Sequence, residues 1–236
     1  MTDTRRPFWV DALILTLAGV LFVTMIGLGN WQMRRLAWKL DLIEQVQTRA
    51  FGDPVPAPLA PDTPEYLRVL ASGTYDHAAT LRIKAVTEVG AGFWIMTPLQ
   101  TADQTLWINR GFVPTGLDAN DWTQPAGQVQ ITGLVRADQP GGTLLESNAP
   151  GDQRWVSADL ALMSSAAGIS DAQTGYFIDD AANGGPDVWP RGGLTRLEFR
   201  NTHMVYAITW YAMAIMFLAA IVGVVWLRIK GQGPKT

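Results

Sequence analysis

His203 is the side chain with the widest chemical scope in this sequence. It is one of only two histidines in a chain of 236 residues that has no cysteine, and it stands at the head of a long apolar run. A neutral imidazole ligates metals and is a frequent axial ligand of haem iron. Tyr206, Trp210 and Phe217 follow it at i+3, i+7 and i+14, one stripe of a helix. An aromatic wall of that kind can pack on a macrocycle. An ionisable group in an apolar span is a functional candidate by default, although at the end of the span an imidazole can equally face lipid headgroups. Arg34 and Arg35 stand just past a second apolar run. Their guanidinium forks suit carboxylates, haem propionates among them, and equally snorkel to phospholipid headgroups.

Other chemistries lack their parts. The absence of Cys excludes disulfides, a Cys-based zinc site and a thiol nucleophile. No G-x-S-x-G elbow, H-E-x-x-H pair or phosphate-binding Gly-Lys loop is present. His77 follows Asp76 in a turn between strands and reads as a solvated residue. The carboxylates are scattered, with no pair set apart as acid and base. Arg110, in Asn109-Arg110-Gly111-Phe112 at the end of a strand, either binds an anion or ties the strand to its neighbours, and Gly111 marks a bulge or turn.

The elements that carry these residues begin with the two apolar runs. Ala12 to Met33 contains no charge, and Asn201 to Leu227 contains none apart from His203. Each run exceeds the ~20 residues that cross the hydrocarbon core of a bilayer. Trp9, Trp31 and Trp226 mark interfacial positions. Gly27 and Gly29 on the first run, and Ala219 and Gly223 on the second, allow close helix approach. The expected architecture is an α+β membrane protein. A tail over 1–11 leads into a transmembrane helix over 12–33, a β-rich antiparallel domain with one short helix over 34–200, a second transmembrane helix over 201–227 and a tail over 228–236.

Orientation follows from the tails. Arg5 and Arg6 precede the first run, and Arg228, Lys230 and Lys235 follow the second. The positive-inside rule places both tails in the cytoplasm, or on the matrix side in an organelle, and the central domain on the opposite side, the periplasmic side of an inner membrane, against the pull of Arg34, Arg35 and Lys39. Thr4-Arg5-Arg6-Pro7-Phe8 has the look of a twin-arginine signal, but no A-x-A-like site follows the long run, so a retained anchor is expected. Five of the 18 basic residues lie in the tails, whereas only Asp3 and Asp11 of the 21 acids precede residue 34, so the middle carries 13 basic and 19 acidic residues, about −6. An acidic domain argues against a nucleic-acid partner. Tails of a few residues leave no room for the output module that a ligand sensor would need.

The first helix is expected to continue past the membrane to Phe51-Gly52, with Leu36, Leu40 and Ile43 on one face. Five prolines between Asp53 and Pro64 read as an extended linker. Strands are expected over Tyr66–Tyr75, Thr80–Val86, Phe93–Leu99, Thr105–Val113, Gln128–Arg136, Tyr176–Ile178 and Leu194–Phe199, with a hairpin turn at Thr101-Ala102-Asp103-Gln104. Ser157–Ala167 reads as a short helix with Asp159 near its start. Asn183-Gly184-Gly185-Pro186 and Arg191-Gly192-Gly193 read as loops.

Several segments, in this order, resemble the SURF1/Shy1 family of cytochrome c oxidase assembly factors. They are Leu28-Gly29-Asn30-Trp31-Gln32-Met33-Arg34-Arg35-Leu36-Ala37-Trp38-Lys39, Gly73-Thr74-Tyr75, Gly92-Phe93-Trp94-Ile95-Met96-Thr97-Pro98-Leu99, Trp107-Ile108-Asn109-Arg110-Gly111-Phe112-Val113-Pro114, and Asn201-Thr202-His203-Met204-Val205-Tyr206-Ala207-Ile208-Thr209-Trp210. Gly127 to Arg200 matches only loosely. The resemblance implies a non-enzymatic chaperone of a bioenergetic membrane that binds haem A and assists its insertion into the largest subunit of a haem-copper oxidase. Haem A biosynthetic enzymes are further partners it suggests. It implies His203 as the iron ligand. From the residues themselves, Trp31, Tyr206 and Trp210 are expected along the macrocycle and Arg34 at its charged edge. Met204 is the nearest thioether and His77 the only other imidazole for a second axial position. A haem-free scaffold that stabilises the apo-subunit through small-residue helix faces is the alternative.

Overall fold

The computed structural model describes residues 7–182, 185 and 187–230. Arg5, Arg6 and Lys235 of the tails, and the expected loop at 183–186 apart from Gly185, lie outside the described residues. The chain divides into two compact units, one made of residues up to Glu44 and from Glu198 onward, the other of Gln45–Leu197. Two apolar helices and a β-rich domain with a short helix make up the whole, which is the layout of a two-pass membrane protein.

Helix α1 spans Phe8–Phe51. Its 44 residues extend ~66 Å at 1.5 Å per residue, about twice the hydrocarbon core of a bilayer. Part of it must therefore run outside the lipid, as Arg34, Arg35 and Lys39 require. Leu36 is buried, but Leu40, expected beside it, is 52% exposed. The C-terminal helix, α3, spans His203–Lys230. Both carry largely exposed apolar side chains, Leu17, Val23, Ile215 and Val222 among them, as lipid-facing helices should.

The other unit holds seven strands: β1 Val55–Pro56, β2 Arg68–Tyr75, β3 Leu81–Thr87, β4 Gly90–Gln100, β5 Thr105–Pro114, β6 Gln128–Ala137 and β7 Tyr176–Asp180. Their order in the sheet is β1-β2-β6-β7-β5-β4-β3, and β2 also pairs with β4 at Thr74–Gln100 and Tyr75–Leu99. That extra pairing closes β2, β6, β7, β5 and β4 into a small barrel. Val69, Ala71, Leu106, Ile108, Val135 and Ile178 fill its interior and are at most 1% exposed. The alternation of apolar residues anticipated most of these strands. The sheet is not wholly antiparallel, however, since β5 pairs with β7, and β1 with β2, in parallel. A long connection with its own helix separates β5 from β7, and such a crossover permits the parallel pairing.

Leu194–Phe199 is not a strand. β7, the strand before it, is already flanked on both sides by β5 and β6, so it cannot pair there. Its ladder-like contacts come earlier, where Phe112 and Arg191 exchange two backbone hydrogen bonds of 2.9 Å. The short helix α2 covers Leu160–Ala167 rather than starting at Ser157. Asp159 caps it, accepting from the Leu162 N–H at 3.0 Å. Helix α2 packs Leu160 and Met163 on Trp107, Trp155 and Phe177 outside the barrel, and the Trp107 indole donates to Ser164 Oγ at 2.9 Å.

Gly111 sits in the middle of β5, where the register slips by one residue against β4. Its φ is +122°, and a Cβ there would lie 2.2 Å from the Arg191 carbonyl. This bulge leaves Leu106, Ile108 and Arg110 on the barrel interior, while Phe112 turns to Trp94, with ring centroids 5.9 Å apart.

Asp179 ties the segment after β7 to the sheet. Its carboxylate accepts from Asn109 Nδ2 at 2.8 Å, Arg136 Nη1 at 3.1 Å and Thr195 Oγ1 at 2.8 Å. Burial works against the charge of Arg136, yet Asp179, Tyr66 and Glu65 outweigh it and hold the guanidinium above its ordinary value. Asp179→Ala leaves three donors unmatched and is expected to cost about 3–5 kcal/mol of domain stability in denaturant titrations. Gly111→Ala combines a disfavoured φ with the Arg191 clash and should cost about 3 kcal/mol or more in the same assay.

Candidate functional site

In the membrane unit the less exposed positions recur at alternating steps of four and three. Among them are Ala18, Phe22, Met25, Gly29 and Gln32 on α1, and His203, Ala207, Trp210, Ala214, Phe217 and Ile221 on α3. That spacing is the seam of a coiled-coil-like helix pair. Ala207 and Ala214 are fully buried, and a Cβ on Gly29 would stand 2.5 Å from the Tyr211 ring. Small residues let the helices approach, as expected. Of the small residues marked in the sequence, Gly29 stands at this contact, whereas a Cβ on Gly27 or Gly223 would meet nothing within 4 Å, and Ala219 is exposed.

His203 lies in the first turn of α3, at the end of this seam. Asn201 Oδ1 accepts from its backbone N–H at 3.3 Å, which caps the helix start. Its ring Nδ1 is 2.8 Å from Gln32 Oε1. An amide oxygen only accepts, so Nδ1 carries the proton and donates. The tautomer is thereby set, and the lone pair of the ring rests on Nε2, which has no hydrogen-bond partner among the described residues. Ligating histidines typically use the second ring nitrogen in this way. The residues present therefore fit a metal or haem iron bound through one imidazole. Among the described residues no group of three or more His, Asp or Glu forms a metal site of its own.

The other residues singled out in the sequence have different environments. Trp210 shares the seam with His203 and is half-buried. Trp31 and Tyr206 are 46% and 55% exposed, and Arg34 is exposed. Arg35 is engaged elsewhere, 4.6 Å above the Trp38 ring. Met204, in the next position of α3, is 46% exposed. His77 belongs to the other unit, where its Nε2 lies 2.9 Å from the Pro125 carbonyl.

Gln32 is the residue that sequence reasoning passed over. Its signal is phase: it falls four and three residues from Leu28 and Gly29, as the lone polar position of the α1 seam between Ala18 and itself. Tyr211 was missed as well. Its hydroxyl donates to Asn30 Oδ1 at 2.7 Å, and at the opposite end of the pair Arg228 donates to Asp11 Oδ1 at 2.7 Å.

A sequence model of the SURF1 family matches residues 19–215, which takes in Gln32, the whole β-rich domain and His203. Surfeit locus protein 1 of Rattus norvegicus is 32% identical over 228 residues, covering 87% of this chain and 72% of that protein. Surfeit locus protein 1 of Homo sapiens is 32% identical over 216 residues, covering 81% of this chain and 71% of that protein. A SURF1-like protein of Monosiga brevicollis is 32% identical over 232 residues, covering 89% of this chain and 85% of that protein. The match takes in most of the chain, with the β-rich domain and parts of both helices: the chain belongs to the SURF1 family of cytochrome c oxidase assembly factors.

Proposed function

We propose that this assembly factor binds haem A through His203 and assists its insertion into the largest subunit of a haem-copper oxidase. The observation that carries the reading is the hydrogen bond from His203 Nδ1 to Gln32 Oε1 at 2.8 Å, which leaves the Nε2 lone pair for iron. When bound, haem A would supply an iron centre for that nitrogen to ligate. Gln32 holds the imidazole in one tautomer and one orientation. Trp210 would support the macrocycle from the seam, and Trp31 and Tyr206 offer exposed aromatic faces on the adjoining helix surfaces. Arg34, exposed and without an ion pair among the described residues, would meet the propionate carboxylates.

The basic tails support a periplasmic domain in a two-pass inner-membrane protein. The cysteine-free chain makes this directly testable. Leu144 is fully exposed on the domain, so Leu144→Cys in intact cells should react with a membrane-impermeant maleimide. Labelling only after the inner membrane is broken places the domain in the cytoplasm instead.

The haem reading is tested by co-expression with the haem A biosynthetic enzymes, purification in mild detergent and absorption spectroscopy. The wild type is expected to carry haem A, and His203→Ala to lose it. Gln32→Leu should retain the ligand but lose its orienting bond, with roughly a 10- to 100-fold fall in haem affinity, the range for such supporting contacts. Stoichiometric haem A in His203→Ala rules out the ligand assignment. No haem in either protein points to the scaffold that grips the apo-subunit without a cofactor.

A further inference from the structure

The outer face of the barrel borders a pocket of its own. Arg68 on β2 stands opposite Leu134 on β6, and Leu134 stands opposite Asp179 on β7. Residues opposite one another in a ladder share a face. Their neighbours Val69, Val135 and Ile178 fill the interior, so this row faces outward. With the end of α1 and the segment after β7, the row bounds a cavity of about 250 Å³. Ala50, Phe51, Leu134, Ala181 and Leu197 are its apolar lining. All of it lies within the Gln45–Leu197 unit, which does not contain His203, so the inference does not rest on haem binding.

Three charged residues border this cavity, and two of them are answered within the protein. Asp179 is matched by its three donors, Asn109, Arg136 and Thr195. Asp180 accepts from the Ala182 N–H at 2.9 Å and has Arg110 as its counter-charge. Arg68 is half-buried and makes no hydrogen bond, ion pair or ring contact among the described residues. Arg136, on the same face of the next strand, shows the contrast: Glu65 holds it at 3.4 Å and Asp179 at 3.1 Å. A guanidinium that gives up part of its water without gaining a partner is a cost to the free protein, and a bound anion removes that cost.

Charge and volume together define the anion. One positive charge is unanswered, so the complementary ligand carries one negative charge. The planar guanidinium fork receives a carboxylate through two parallel hydrogen bonds. The cavity has the volume of about eight water molecules at about 30 Å³ each, which a carboxylate on a chain of about five carbons fills. A phosphate head would take most of that space, leave little for the apolar lining and bring further negative charge toward Asp179. Phe51 is 70% exposed and offers an aromatic face that the chain would cover.

We propose that this pocket binds a carboxylate with a short apolar chain, its charged end on Arg68 and its chain on Phe51, Leu134 and Leu197. Pockets of this kind combine an apolar lining with one charged group that orients the ligand.

The test titrates the full chain in mild detergent with hexanoate by calorimetry, against a blank of detergent alone, with acetate, hexanol and propyl phosphate in parallel. Hexanoate is expected to bind with a Kd on the order of 1 mM or tighter, and each of the other three to bind weaker by roughly tenfold or more. Arg68→Gln removes a charge that has no partner in the free protein, so its melting temperature should stay level or rise while hexanoate affinity falls by roughly tenfold or more. Phe51→Ala changes an exposed residue, should keep the fold, and should weaken hexanoate roughly three- to tenfold. Hexanoate affinity unchanged in Arg68→Gln overturns the proposal, as does binding of hexanol or propyl phosphate as tight as that of hexanoate. So does the absence of saturable binding up to about 10 mM.

Discussion

A polar side chain on a helix in lipid must find its partner within the protein, because hydrocarbon offers none. The membrane unit is organised by that constraint. Gln32 meets His203, Asn30 meets Tyr211, and Asp11 meets Arg228, so the polar groups of one helix are answered by those of the other at both ends of the pair. Between them the seam carries small residues, with Ala207 and Ala214 wholly buried. The polar contacts fix the phase in which the helices face each other, and the small residues let them come close enough for those contacts to form. The imidazole at the end of the seam is held by this arrangement rather than by a nest of ligands.

The β-rich unit solves a related problem by closure. Pairing of β2 with β4 closes the ring of strands and gives the interior row of Val69, Leu106, Val135 and Ile178 a dry core. The bulge at Gly111 lets one strand serve two faces: Arg110 stays with the interior, while Phe112 packs outside against Trp94. Asp179 and Asp180 divide in the same manner. Asp179 points outward to Asn109, Arg136 and Thr195 and pins the following segment, while Asp180 turns inward toward Arg110. Two neighbouring carboxylates thus have separate duties because a strand alternates its faces.

Much of this was legible in the sequence. Uncharged runs of more than 20 residues gave both membrane helices, and period-two alternation gave six strands to within a few residues. Local pattern reaches that far because each element carries its own face. What it could not give was which faces meet. Leu194–Phe199 has strand-like residues, but the strand before it, β7, already lies between β5 and β6. The parallel partner of β5 is invisible until a crossover of some 60 residues is folded back.

The site shows the same boundary between local and non-local information. His203 stood out by residue type, and its neighbours at i+3 and i+7 were the natural companions on one helix. Yet its hydrogen-bond partner lies 171 positions away, and Tyr206 faces outward, 55% exposed. The helical stripe through His203 was read from aromatic residues, whereas the buried face is marked by alanine, the residue least conspicuous in an apolar run. Once Ala207 and Ala214 set the phase of α3, and Gly29 that of α1, a glutamine three residues after Gly29 comes to the imidazole with no further assumption. Small residues at a four-three spacing are thus a better guide than bulky ones to where two membrane helices join, and polar residues in phase with them mark where such a pair can do chemistry.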